Sequence, residues 1–123
     1  MTDMMFVCYP KCSTCKKAQK FLEEKGISFT IRDIKTENPT AEELGEWRRR
    51  SGLPLRKFFN TSGMLYRSME LASRLPDMGE EEQLALLASD GMLVKRPILV
   101  TEEFVLVGFR QAEWEKVLSG GNV

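Results

Sequence analysis

A chain of 123 residues, 42% of them hydrophobic, can bury one core and gives no reason to divide, so a single domain over residues 1–123 is expected. Lysine plus arginine and aspartate plus glutamate balance at 18 each, which removes any net electrostatic drive toward direct nucleic-acid binding or an anionic membrane. The N-terminus lacks the basic-then-apolar pattern of a signal peptide, and no run approaches the ~20 apolar residues of a membrane span, so a cytoplasmic protein is expected.

In chain order, the apolar run from about Met4 to Tyr9 reads as the first strand. The turn Pro10-Lys11-Cys12 leads to a helix from about Ser13 to Lys25, with Gly26 as its stop. Ala18, Phe21 and Leu22 supply that helix's buried face. Ser28 to Ile34 alternates with period two and predicts a second strand, parallel to the first across a β-α-β unit. Thr40 and Glu43 have the spacing of a capping box, opening a helix that runs to about Arg50 and stops before Gly52. Thereafter the chain reads as short helical pieces punctuated by Pro54, Thr61-Ser62-Gly63, Pro76 and Gly79, of which Glu80 to Ser89 is the clearest. Residues from about 40 to 91 are thus one helical insertion. Ile98 to Val100 and Phe104 to Val107 read as an antiparallel hairpin, Gln111 to Leu118 as a closing helix, and Gly120 to Val123 as a frayed end. Trp47, Phe58, Phe59 and Trp114 fall at apolar positions and are expected in the core, with the methionines as filler.

Cys12 and Cys15 stand between the first strand and the first helix. A cysteine at a helix N-terminus meets unpaired N–H groups and the positive end of the helix dipole, both of which favour a thiolate. A second cysteine three residues on shares that face and can close a disulfide after the first attack. Lys11, Lys16 and Lys17 add positive charge, or simply form a solvated helix face. Three other uses of the pair are weighed. A closed zinc site needs four ligands, but the chain has no histidine and one further cysteine, Cys8. A structural disulfide over so short a loop constrains the unfolded chain little, and two idle thiols would fit poorly with the strand-to-helix context. Cys8 itself reads as a small buried hydrophobe, although its spacing from Cys12 leaves a Cys8–Cys12 bridge open.

Strand, helix, strand, helical insertion, hairpin, helix is the order of an α/β domain with a thioredoxin-like fold and a mixed four-stranded sheet. Over nearly its whole length the chain also resembles the arsenate reductase and Spx family. The resemblance is carried by Tyr9-Pro10-Lys11-Cys12-Ser13-Thr14-Cys15-Lys16-Lys17-Ala18, by Phe58-Phe59-Asn60-Thr61-Ser62-Gly63 with Tyr66-Arg67, by Ser89 to Pro97, and by Val107-Gly108-Phe109. It implies that Cys12 is a nucleophile, that Arg96 lies near its sulfur, and that Pro97 is a cis-proline. The catalytic set is then Cys12, Cys15 and Arg96, with Lys11, Ser13, Thr14, Asn60, Pro97 and Arg110 binding substrate.

Two departures qualify the resemblance. The first of three arsenate-holding arginines falls at or beside neutral Asn60, which removes a charge-assisted contact. Cys15 is an internal resolving thiol where single-cysteine arsenate reductases use an external one. The expected activity is therefore thiol–disulfide oxidoreduction without a bound cofactor or metal, recycled by an external thiol such as glutathione, glutaredoxin or thioredoxin. The alternative is an Spx-like redox-switched regulator that binds RNA polymerase, with Trp47 to Gly52 as a surface.

Overall fold

The computed structural model describes residues 4–120. Strand β1 (Met5–Cys8) leads through a tight turn into α1 (Ser13–Glu24), and β2 (Thr30–Asp33) returns parallel to β1. The insertion follows: α2 (Ala41–Ser51), a 3-10 turn at Leu55–Phe58, short α3 (Met64–Ser68) and α4 (Leu71–Arg74), a 3-10 turn at Leu75–Asp77, α5 (Glu80–Ser89) and a last 3-10 turn at Gly91–Leu93. The hairpin of β3 (Ile98–Val100) and β4 (Val105–Val107) then precedes α6 (Gln111–Gly120). The sheet order is β2-β1-β3-β4, with β3 antiparallel to both neighbours.

Parity along the strands sorts the core into two layers. Phe6 and Cys8 in β1, Leu99 in β3 and Leu106 in β4 face α1 and α6, where they pack with Cys15, Ala18, Phe21, Leu22 and Trp114. Val7, Ile98, Val100 and Val105 point the other way, onto Leu44, Trp47, Phe58, Phe59, Leu71 and Leu87 of the insertion. Both faces are covered, which is why these strands are apolar throughout rather than alternating. Trp114 has no exposed surface, and its indole N–H donates to Gly108 O at 3.0 Å, which ties α6 to the end of β4.

Several boundaries differ from expectation. β2 is shorter than Ser28 to Ile34 because it is an edge strand that Asp33 ends: its carboxylate accepts the amides of Lys35 and Thr36, closing a turn. Of the tail expected to fray, Gly120 closes α6, and 121–123 lie outside the described residues. Met64 is 85% exposed and is not core filler. The basic run after Trp47 is engaged within the fold: Arg48 pairs with Glu80, Arg49 and Arg50 pair with Glu46, and Arg50 also donates to Thr101 O.

The capping box at Thr40 forms as expected, with Thr40 Oγ1 accepting from Glu43 N and Glu43 Oε1 accepting from Thr40 N, both at 3.0 Å. Glu43 also receives Arg32 of β2 in a two-pronged contact at 2.7 and 2.8 Å, which docks α2 onto the sheet. Arg32, helped by the Thr40 amide, lowers the Glu43 pKa to about 2 against the opposing effect of burial. A carboxylate so depressed adds stability above its unfolded pKa of ~4.3, and that increment is lost as pH falls from there toward 2. Because about a third of the Glu43 side chain is exposed, solvent screens the increment. Thermal melts should therefore lose stability between pH 5 and 3 more steeply in the wild type than in Glu43→Gln; equal slopes would remove this pair from the acid response.

Candidate active site

The Tyr9 carbonyl accepts the Cys12 amide at 2.9 Å, with Pro10 and Lys11 at the corner of the turn, and the Cys12 carbonyl accepts the Lys16 amide at 3.1 Å. Cys12 is thereby the N-cap of α1, in extended conformation, and its side chain makes no capping bond. Its half-buried sulfur sits at the positive end of the helix. Cys15 lies one turn in, on the stripe shared by Ala18 and Leu22, and is 2% exposed. The Tyr9 amide donates to Cys15 Sγ at 3.3 Å.

Cys15 and Cys8 are buried in the same layer between β1 and α1. The neighbouring Cys8 thiol, with burial adding to its effect, raises the Cys15 pKa well above the ordinary thiol value, and Cys15 in turn lowers that of Cys8. Cys8 thus shares its buried layer with Cys15, across the strand–helix interface, while Cys12 packs against that layer from its half-buried position.

Cys12 opens onto a groove of about 940 Å³ between the sheet end and the insertion. Its walls include Thr14, Asn60, Arg96 and Arg110 of the expected set. Lys11 and Ser13 are solvent-exposed and do not line it, nor do Lys16 and Lys17. Pro97 is buried behind it; the Arg96–Pro97 peptide is cis, as the resemblance implied.

Arg96 stacks on Tyr9, with Cζ 5.4 Å from the ring centroid. Its Nε and Nη1 are buried and have no hydrogen-bond partner among the described residues, an arrangement that favours an incoming acceptor. Asn60 turns back on its own loop, receiving Ser62 Oγ at 3.4 Å and donating to Met92 O at 3.5 Å.

Three further cations line the groove and escaped the sequence reading: Arg56, Lys57 and Lys95. They arrive through a small antiparallel link, in which Asn60 N donates to Leu93 O at 2.8 Å and Lys95 N to Phe58 O at 2.7 Å around the Phe59–Val94 bridge. Only Lys95 carried a sequence signal, as the neighbour of Arg96. The groove therefore holds five cations and one carboxylate, Glu113, in a chain of zero formal charge.

This fold and this Cys-x-x-Cys turn define a thioredoxin-like domain with its paired thiols at the start of α1. Residues 8–117 match the ArsC family, and the chain belongs to it. It is 50% identical over 114 residues to the uncharacterized protein YusI of Bacillus subtilis, covering 93% of this chain and 97% of that one. Among solved structures it is similar to an ArsC family related protein from Bacteroides fragilis, at 58% identity and TM-score 0.91, over 94% of this chain and 97% of that one. A possible arsenate reductase from Streptococcus mutans follows at 41% identity and TM-score 0.84, covering 94% and 99%. A curated relative at greater distance is the global transcriptional regulator Spx 1 of Oceanobacillus iheyensis, 26% identical over 89% of this chain and 82% of its own length. No helix among the described residues is long and apolar enough to cross a membrane.

Proposed function

We propose that the protein is a thiol–disulfide oxidoreductase. The observation that carries this reading is the placement of Cys12, uncapped at the helix N-terminus and open to a cationic groove, with Cys15 buried one turn behind it. Cys12 thiolate attacks one sulfur of a disulfide substrate, forming a mixed disulfide and expelling the other half as a thiolate. Cys15 then gives up its proton and attacks Cys12 Sγ, which releases the second half and leaves a Cys12–Cys15 disulfide. An external thiol, such as glutathione, glutaredoxin or thioredoxin, returns both cysteines to the reduced state.

Arg96, which lines the groove with Cys12, donates to an acceptor atom of the substrate; Arg110 and Thr14 extend that contact along the groove. A volume of about 940 Å³ suits a peptide-sized thiol or disulfide better than a single oxyanion, since ligand sites run to ~1,000 Å³. With Asn60 neutral and its amide engaged by Ser62 and Met92, arsenate loses one of its anchors, so disulfides are the favoured substrates.

Replacing Cys15 tests the division of labour. Cys15→Ser should leave the first attack intact and let the mixed disulfide accumulate, seen by mass spectrometry as one glutathione adduct at Cys12 after exposure to oxidised glutathione. Wild-type turnover without such an adduct would show that Cys15 resolves nothing.

A second reading comes from the curated relative named as a transcriptional regulator: the same pair acts as a switch and the domain binds RNA polymerase. Against it, Arg48, Arg49 and Arg50, the surface expected to serve that binding, are paired within the fold. Retention of RNA polymerase on immobilised protein, in either redox state, would favour this reading over the reductase.

A further inference from the structure

The reaction above uses two of the three thiols. Cys8 is 3% exposed and ends β1 on the face that α1 covers. Cys15 descends from α1 onto it, and the amide that holds Cys15 Sγ at 3.3 Å belongs to Tyr9, the residue that follows Cys8. Cys8 and Cys15, 3% and 2% exposed, are buried in one core layer, and Cys12 packs against that layer from the groove. The three thiols are therefore one cluster, with Cys12 at its open side. In disulfide exchange a thiol must reach the sulfur it attacks, and of the two sulfurs of a Cys12–Cys15 bridge it is the buried one, Cys15, that shares its layer with Cys8.

We propose that Cys8 is a third redox-active thiol, which attacks Cys15 Sγ in the Cys12–Cys15 disulfide and moves the bond inward to Cys8–Cys15. The inference rests on the Cys12–Cys15 chemistry proposed above. One S–S bond forms and one breaks; the electron pair leaves on Cys12 sulfur, and the proton lost by Cys8 passes to Cys12 or solvent. The oxidation level of the protein is unchanged, so no co-reactant is needed beyond the disulfide substrate that formed Cys12–Cys15. The once-oxidised protein then keeps a free Cys12 at the mouth of the groove. It can engage a second disulfide as a single-thiol enzyme, from which only an external thiol releases it.

The chain itself offers a clean readout. Trypsin cuts after Lys11 and Lys16, leaving Cys8 in one peptide and Cys12 with Cys15 in the next. The reduced full-length protein is treated with one equivalent of oxidised glutathione, quenched with N-ethylmaleimide at low pH, digested and mapped by mass spectrometry. The expected product is a cross-link between the two peptides that fragments to Cys8–Cys15, with Cys12 carrying the maleimide. Cys12→Ser treated with diamide should give the same cross-link. In Cys8→Ser and Cys8→Ala, the fraction of once-oxidised protein with an alkylatable Cys12 should fall about tenfold. A wild-type protein that forms only the Cys12–Cys15 bridge, with Cys8 alkylated, overturns the relay and leaves the two-thiol reaction standing. Absence of any disulfide among the three overturns both.

Discussion

Cys12→Ser is expected to lower disulfide reduction by about three orders of magnitude or more, because a hydroxyl far above its working pH range replaces the thiolate at the attacking position. The variant should fold normally. Cys12 is half-buried, its side chain caps nothing, and the turn that presents it is held by backbone bonds from Cys12 N to Tyr9 O and from Lys16 N to Cys12 O. A melting temperature within about 2 °C of wild type separates loss of chemistry from loss of structure. The assay is reduction of a mixed disulfide of glutathione, followed through the released thiol. Retention of more than a small fraction of the wild-type rate would mean that the nucleophile is elsewhere, with the more exposed of the remaining sulfurs the first suspect.

Gly91→Ala should produce the largest loss of stability of any glycine-to-alanine change among the described residues. A Cβ at this position would collide with Ile34 O and stand 2.7 Å from Ile34 C, in the loop after β2. Both contacts are to backbone, so no side-chain rotation relieves them, and the turn at Gly91–Leu93 must move off the sheet. Overpacking costs ~1–3 kcal/mol in ordinary cores, and a clash this close lies at or above ~3 kcal/mol. For a domain of this size that corresponds to a fall of roughly 10 °C in melting temperature. The damage should reach the groove as well, since Leu93 to Lys95 form the link that carries Asn60, Lys95 and Arg96 into place. A melt within about 2 °C of wild type would show that this close approach is not maintained in solution.

Local signals in the sequence account for the parts of the fold that were legible. The strand-to-helix turn at Cys12, the capping box at Thr40 and Glu43, and the αL glycine at Gly52 are each written within a few residues, and each forms where expected. Arg96 and its cis-proline were carried by resemblance, and so was Arg110. What could not be read depends on pairing between distant segments. Arg56 and Lys57 belong to no motif and reach the groove only because Phe59 pairs with Val94. Gly91 looked like punctuation, yet its requirement is set by Ile34, on the far side of the insertion. Cys8 is a middle case. Its parity with Phe6 and the stripe of Cys15, Ala18 and Leu22 contain the contact, but linear spacing drew attention to Cys12 instead. Conversely, the basic residues flanking the motif, Lys11, Lys16 and Lys17, were given weight by proximity in sequence alone, and the fold leaves them outside the groove.

The concentration of Arg56, Lys57, Lys95, Arg96 and Arg110 around one opening, in a chain whose charges cancel, makes the molecule an electric dipole rather than a charged sphere. Its encounter with an anionic molecule is then governed by orientation and not by its isoelectric point. Such steering acts within a Debye length of ~8 Å at physiological ionic strength and fades as salt shortens that reach. On the proposed oxidoreductase reading, the favoured substrates are therefore those that carry acidic groups close beside their sulfur, where the local field acts on them as they meet Cys12.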